Sequence, residues 1–384
     1  MKKLLILGVS GSIGQQCCEV VQEHSDLFQI TAVSVGVNVA VLSRIIEDYQ
    51  PQYICVASEQ DYKNFKKLYP QINWSFGAAG LSEIVRVADY DILVNALSGF
   101  AGVVPTIEAV KRKKDIALAN KESLVVAGNL INKLNKQNKV KIHPIDSEHS
   151  AIWQCLQGNE LKAVKRVIIT ASGGSFRDLD REQLKTVTVN EALNHPNWSM
   201  GPRITIDSAT MMNKCFEVVE AKHLFNLKSQ QIDVVIHPQS MVHSLVEFCD
   251  GSLVAQLGNP DMRIAIQYAL SYPERLQLRQ KADFHLTNLD FKVLDEKRFP
   301  FIKLAYRIIK EGDTLGCIVN AADEEAVSAF IKGRISFLEI EALVFEAVKI
   351  FNKKKAVSLE SLIKLDQEVR TFIINRISKM ELNN

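Results

Sequence analysis

Two acids two residues apart, Asp146 and Glu148, stand in the run IHPIDSEHSA, and a third, Glu217, stands in IDSATMMNKCFEVVE. Three carboxylates form an oxygen-only donor set, which suits a hard divalent cation such as Mg²⁺ or Mn²⁺, with Co²⁺ a further candidate. A zinc site would instead ask for thiolates or imidazoles. An Asp-x-Glu pair by itself is more often a solvated loop than a ligand pair, so the metal reading depends on the company these acids keep.

That company has the composition of an anion site. Val167 to Thr170 reads as a strand running into Ala171-Ser172-Gly173-Gly174-Ser175, where two glycines beside serines form either an anion-binding nest or a plain turn. The segment His195-Pro196-Asn197-Trp198-Ser199-Met200-Gly201 puts Trp198 and Met200 in a Pro- and Gly-bounded loop, which reads as a flap closing over a ligand or as a core-packed loop. Asp207-Ser208-Ala209-Thr210 predicts a helix N-cap. In the helix that follows, Asn213 and Glu217 are four apart and share a face, with Lys214 beside them. Together with Ser172, Ser208 and His195, this turn would bind a phosphate at one end and a metal at the other.

The elements that must position these residues begin with an α/β alternation. Apolar runs at Leu4–Leu7, Ile30–Val35, Tyr53–Val56, Ile92–Ala96 and Ile116–Ala119 are separated by helix-length segments, which predicts a parallel sheet wrapped by helices. After the first run comes Gly8-Val9-Ser10-Gly11-Ser12-Ile13-Gly14, a glycine turn that brings backbone N–H groups and a helix N-terminus to a pyrophosphate. An NAD-specific site usually places an acid at the end of the second strand for the ribose 2′-hydroxyl. Here the residues are Val35-Gly36-Val37-Asn38, with no acid to repel a 2′-phosphate, so the reading is NADP(H).

Composition bounds the class. A chain of 384 residues with 47% hydrophobic and 23% charged residues is globular and long enough for two or three domains. A net charge of +2 lacks the basic footprint of a nucleic-acid binder. Seven cysteines without a Cys-x-x-Cys spacing read as reduced thiols, and neither a signal peptide nor a membrane-length apolar run is present, so a cytoplasmic enzyme without a membrane partner is expected.

Several longer words in the chain point to one family. Ala119-Asn120-Lys121-Glu122-Ser123-Leu124-Val125, Asp146-Ser147-Glu148-His149, Ser172-Gly173-Gly174, HPNWSMG at 195–201, DSATMMNK at 207–214, Ile236-His237-Pro238-Gln239-Ser240, Gly258-Asn259-Pro260-Asp261-Met262-Arg263 and Asn320-Ala321-Ala322 occur in that order along nearly the whole chain. In these words it resembles the 1-deoxy-D-xylulose 5-phosphate reductoisomerases. The resemblance implies rearrangement of 1-deoxy-D-xylulose 5-phosphate through a retro-aldol and aldol sequence. The resulting aldehyde is then reduced by NADPH to 2-C-methyl-D-erythritol 4-phosphate, in the non-mevalonate isoprenoid route.

The resemblance also implies roles. Asp146, Glu148 and Glu217 match metal ligands; Ser147 and Lys121 match contacts to the substrate backbone. Ser172, Ser208, Asn213 and Lys214 match the phosphate site, with His195 beside the substrate. Trp198 and Met200 match the closing loop. Gly8, Ser10, Gly11, Ser12, Ile13, Gly36, Val37, Asn38, Asn120, Glu122 and Gly201 match NADPH-binding positions. A homodimer is implied as well. The chain departs from the family pattern at Val9, Ser10, Ser175, Pro202 and Cys215, at Val37 where many relatives carry Lys or another polar group, and at Asp323 where Asn is common.

The expected organisation is a Rossmann-like NADPH domain at 1–145, an α/β catalytic domain at 146–282, a linker at 283–305 and a helical bundle at 306–384. Within the bundle Gly333 reads as a helix stop, Ser336-Phe337-Leu338-Glu339 as a capping box and Leu359 to Ile377 as a helix. Two other functions fit parts of the sequence. A plain NADP-dependent sugar-phosphate dehydrogenase needs the glycine loop and phosphate nest but no three-acid metal site, and a non-catalytic dinucleotide-binding protein needs the loop alone. The set Lys121, Asp146, Glu148 and Glu217 speaks against both.

Overall fold

The computed structural model describes residues 1–279, 283–286, 288–352 and 354–382, so the expected domain ends at 282 and 384 lie outside the described residues. Two compact units form: residues 1–120, 131–150 and 261–283 in the first, and 121–130, 151–260 and 284–384 in the second.

The helices, in chain order, are α1 (Ser12–Glu23), α2 (Leu42–Tyr49), α3 (Glu59–Leu68), α4 (Gly77–Val87), α5 (Val103–Lys111), α6 (Glu122–Asn138), α7 (Ser147–Cys155), α8 (Val189–Leu193), α9 (Pro202–Thr210), α10 (Met212–Phe225), α11 (Met262–Ser271), α12 (Phe301–Glu311), α13 (Asp313–Ile331), α14 (Phe337–Phe351) and α15 (Leu359–Glu381). None among the described residues is long and apolar enough to cross a membrane.

The first unit carries the strands β1 (Lys2–Leu7), β2 (Phe28–Val35), β3 (Tyr53–Val56), β4 (Asn73–Phe76), β5 (Ile92–Asn95), β6 (Asp115–Leu118) and β7 (Ile142–Pro144), in the order β4-β3-β2-β1-β5-β6-β7. Every pairing is parallel. Strands buried on both faces read as continuous apolar runs, which is why Leu4–Leu7 and Ile92–Val94 were legible. The order reverses at β1, flanked by β2 and β5, and a doubly wound sheet binds its ligand beyond the carboxyl ends of the strands at such a point. Helix α11 belongs to this unit, against α1 and the β6–β7 edge, where the Ala269 carbonyl meets His143 Nδ1 at 2.9 Å.

The second unit carries β8 (Val164–Ala171), β9 (Ile232–Ile236), β10 (Val242–Phe248), β11 (Leu253–Leu257) and β12 (Lys292–Val293), in the order β11-β10-β8-β9-β12. Only β8 and β9 run parallel. The segment expected as linker supplies β12, and its Phe299 is buried with Ala171, Met211, Ile236 and Ile302. The bundle follows its sequence signals. Gly333, at φ +70°, stands just past α13; the Ser336–Glu339 box starts α14; and α15 begins at Leu359.

One expectation is corrected here. Asp207-Ser208-Ala209-Thr210 does not cap a helix start: it forms the last turns of α9, which begins at Pro202 with Gly201 before it. Proline suits a first helical position because its missing N–H has no partner there. The chain breaks at Met211, which adopts the left-handed region at φ +65°, and α10 starts directly after it.

Candidate active site

In the first unit the glycine loop leaves β1 through Gly8 at φ +83°, a conformation that favours glycine, where a side chain would also sit 2.7 Å from the Ala96 carbonyl oxygen. The Gly8 N–H donates to the Ser34 carbonyl and hydroxyl, at 3.1 and 2.9 Å, fixing the loop to the end of β2. A Cβ on Gly14 would lie 2.3 Å from the Gly8 oxygen, so α1 packs tightly under its own loop. Gly11 precedes α1 without a side-chain cap and no acid stands in the first turn, so N–H groups at that end stay available to an anion. Gly36, Val37 and Asn38 are exposed beyond β2, Val37 at 96%. Asn120 is buried and donates to the Leu97 and Gly99 carbonyls at 3.0 Å each, so its side chain also braces the loop after β5.

Asp146 and Glu148 bracket the start of α7. The Asp146 carboxylate accepts from the Ser147 N–H at 3.1 Å, Glu148 accepts from the Ser147 hydroxyl at 2.5 Å, and Asp146 lies 3.5 Å from His149 Nδ1. Acids are favoured at a helix N-terminus, so this placement also suits the helix dipole.

In the second unit α10 is buried on most of its circumference, and yet it carries Lys214 and Glu217. Buried charges persist when they are paired and hydrogen-bonded. Glu217 is 0% exposed. Its Oε1 accepts from Asn213 Nδ2 at 2.6 Å and from Lys121 Nζ at 3.4 Å, and its Oε2 accepts from Lys214 Nζ at 2.5 Å. Lys121 also donates to Asn213 Oδ1 at 2.5 Å, and Lys214 to the Thr170 carbonyl at the end of β8 at 2.7 Å. An amide and two ammoniums thus converge on one carboxylate.

Beside Thr170 the serine-glycine turn takes φ +85° at Gly173 and +68° at Gly174, and a Cβ on Gly174 would lie 2.5 Å from the Ala209 backbone. The turn therefore packs against the end of α9 that carries Ser208. The Ser172 hydroxyl lies 3.0 Å from His195 Nε2, while His195 Nδ1 accepts from the N–H groups of Asn197 and Trp198 at 3.2 and 3.0 Å. Two donors on Nδ1 place the ring proton on Nε2, directed at Ser172. Burial, with the Arg177 charge adding to it, lowers the His195 pKa and keeps the ring neutral at neutral pH. The HPNWSMG segment is irregular, and Asn197 holds it to Pro238 and Ser240, at 2.6 Å from the carbonyl and 2.9 Å from the hydroxyl.

Two site-adjacent residues carried no sequence signal. Arg177 donates to the Ser172 carbonyl at 3.2 Å. Arg203 is surrounded by carboxylates, pairing with Glu122 at 3.1 Å, so Glu122, expected at the cofactor, is engaged by a guanidinium. An arginine following Pro202 reads as surface; only the uncommon density of acids in DEE at 323–325 hints at its partners.

The fold and these side chains define a class: a dinucleotide-binding α/β unit joined to a unit whose buried ammonium, amide and carboxylate groups suit a phosphorylated, metal-chelating ligand. Family models described as 1-deoxy-D-xylulose 5-phosphate reductoisomerase match residues 4–128, its C-terminal domain residues 142–225, and the DXP reductoisomerase C-terminal domain residues 257–372. A 1-deoxy-D-xylulose 5-phosphate reductoisomerase from Geobacillus sp. is 49% identical over 377 residues, 97% of this chain and 99% of its own. One from Listeria monocytogenes is 44% identical over 376 residues, again 97% and 99%. A crystal structure of a DOX-P reductoisomerase in complex with NADPH, fosmidomycin and magnesium superposes with a TM-score of 0.93 at 38% identity over 99% of both chains. The Zymomonas mobilis reductoisomerase in complex with NADPH gives 0.89 at 35%, covering 98% of this chain and 99% of that one. The chain belongs to the 1-deoxy-D-xylulose 5-phosphate reductoisomerase family.

Proposed function

We propose that this chain converts 1-deoxy-D-xylulose 5-phosphate to 2-C-methyl-D-erythritol 4-phosphate, an NADPH- and divalent-metal-dependent rearrangement and reduction in the non-mevalonate isoprenoid route. The observation that carries the reading is the buried carboxylate of Glu217 with Lys121, Asn213 and Lys214 on it. A plain dehydrogenase or a dinucleotide sensor gives that cluster no task.

The residues present fit both a divalent cation and a phosphorylated dinucleotide. Glu217, Asp146 and Glu148 offer oxygen donors only, and the fully buried Glu217 carboxylate is paired with two ammoniums. The glycine loop, with its uncapped helix start and no acid after β2, fits a phosphorylated dinucleotide. We therefore assign Asp146, Glu148 and Glu217 to the metal, and Gly8, Ser10, Gly11, Ser12, Ile13, Gly36, Val37, Asn38, Asn120, Glu122 and Gly201 to NADPH. When bound, the cation supplies Lewis-acid stabilisation of charge developing on substrate oxygens, and NADPH supplies the hydride.

The chain's own residues do the rest. Lys121 holds developing oxyanion charge with its ammonium. Ser172, Ser208, Asn213 and Lys214 grip the phosphate, whose binding energy goes to orienting the carbons that react. Ser147 contacts the substrate backbone. His195, neutral with its proton on Nε2, donates toward the Ser172 side of the site. Trp198 and Met200 close over the substrate and exclude water.

Family membership also supports a cytoplasmic homodimer. The edge strand β11, where Leu253 and Val254 are exposed, supports the second copy, and seven unpaired cysteines support a reducing compartment. Metal assignment is tested by Mn²⁺ titration followed by electron paramagnetic resonance. Asp146→Asn, Glu148→Gln and Glu217→Gln are each expected to weaken Mn²⁺ binding by about 100-fold or more. Unchanged affinity in any one of them removes that residue from the ligand set.

A further inference from the structure

Arg203 on α9 faces four carboxyls: Glu122 at 3.1 Å, Glu324 at 3.5 Å, and Asp207 and Asp323 at 3.6 Å each. Arg370 on α15 takes Asp366 at 2.7 Å, Glu325 at 2.9 Å and Glu324 at 3.0 Å. Two guanidiniums therefore serve six acids. Lys121 and the Cys215 thiol also face the Asp207–Asp323 pair, and Asn320 donates to Glu324 at 2.8 Å.

Asp207 and Asp323 are the members of this cluster whose buried oxygens are short of donors. Asp323 is 0% exposed and Asp207 5%. Among the described residues, no N–H or O–H donor reaches either oxygen of Asp323, or Oδ1 of Asp207. Both carboxyls lie 3.6 Å from the one Arg203 guanidinium, which sets them side by side. Two buried carboxylates in contact repel strongly, whereas one shared proton turns the same contact into a charge-assisted hydrogen bond. Arg203 and Lys121 favour the charge on Asp207, while the strongest electrostatic influence on Asp323 is repulsion by Asp207.

We propose that Asp323 holds a proton at neutral pH and donates it to the Asp207 carboxylate, tying α13 to α9. This makes Asp323 a positioning residue. It sets the turn that carries Ser208 and the left-handed Met211 from which α10, with Asn213, Lys214 and Glu217, begins. The positioning role rests on the phosphate site proposed above; the shared proton does not.

Burial raises the proton affinity of both groups, that of Asp323 well above the ordinary carboxylate range. The unfolded chain releases the Asp323 proton near pH 4 while the folded chain keeps it, so this contribution to stability falls as pH rises from there toward neutrality. Asp323→Asn supplies an N–H donor without a titrating proton. Its melting-temperature advantage over the wild type is expected to widen from pH 5 to pH 8, and parallel curves would overturn the proposal.

Infrared spectra at pH 7 read the proton directly. A protonated-carboxyl band is expected in the wild type and lost in Asp323→Asn, and, should that variant not fold, lost in Asp207→Asn. No such difference overturns the shared proton. Asp323→Leu, which offers no donor, is expected to raise KM for the sugar phosphate about tenfold, with Asp323→Asn restoring it. An intact infrared difference with unmoved KM in Asp323→Leu overturns the positioning role alone.

Discussion

Glu217 is a fully enclosed carboxylate held by two ammoniums and an amide, and such a group is costly to keep unless it works. Glu217→Gln retains the volume and one hydrogen-bond acceptor but removes the charge. Turnover is expected to fall by about three orders of magnitude or more, while NADPH affinity, measured by fluorescence titration, changes less than about twofold. Comparable loss of cofactor binding would contradict the assigned role. At this scale the spacing of the candidate residues was legible. The acids, Lys121 and the residues proposed for the phosphate stand in words whose order and spacing are specific, and Asn213 and Glu217 meet as their four-residue separation requires. Arg203 was not legible, because its partners lie far away in sequence, 117 residues on at the Asn320 side-chain oxygen and 120 at Asp323: nothing local to Pro202 encodes α13.

At the scale of elements, two tight approaches carry the second unit. A Cβ on Gly316 in α13 would lie 1.9 Å from the Val125 carbonyl oxygen in α6, which has a non-helical residue at Ala127. Gly316→Ala is expected to destabilise by about 1–3 kcal/mol, read as a lower urea midpoint at unchanged slope. An unchanged midpoint would mean that α6 yields freely there. His223 in α10 packs its ring where a Cβ on Gly128 would sit, and burial, helped by Lys222, lowers its pKa from 6.5 to about 3. The unfolded chain takes up a proton at about pH 6.5 and the folded chain does not until about pH 3, so stability falls as pH drops through that window. His223→Gln should flatten the melting-temperature profile over that range; a profile as steep as the wild type's assigns the acid lability elsewhere. The central strands were legible from continuous apolar runs. β4 and β7 were not, since NWSF and IHP are short edge strands with polar or proline residues. The break between α9 and α10 was misplaced because an Asp-Ser-Ala-Thr run has the same composition at a helix start and at a helix end beside a half-buried arginine. Only the left-handed Met211 separates the two cases, and a methionine does not advertise that conformation.

For the whole molecule, the α/β class and the helical end followed from periodicity, but the packing of α11 on the first sheet and the strand β12 from the expected linker did not. Both depend on contacts between distant stretches of chain. The cofactor choice is a property of the open end of β2, where Val37 supplies neither an acid to repel a 2′-phosphate nor a cation to hold it. NADPH is expected to be used with the higher kcat/KM and NADH measurably, and Val37→Lys to widen the gap; equal use of both cofactors by the wild type would remove the preference. The central claim is tested most directly by following NADPH oxidation in the presence of 1-deoxy-D-xylulose 5-phosphate, first after chelation of divalent ions and then with Mg²⁺ or Mn²⁺ restored. The account predicts no turnover in the chelated enzyme and recovery on adding either ion, with 2-C-methyl-D-erythritol 4-phosphate as product. Oxidation that is indifferent to the ion, or that yields an unrearranged reduced sugar phosphate, would contradict it.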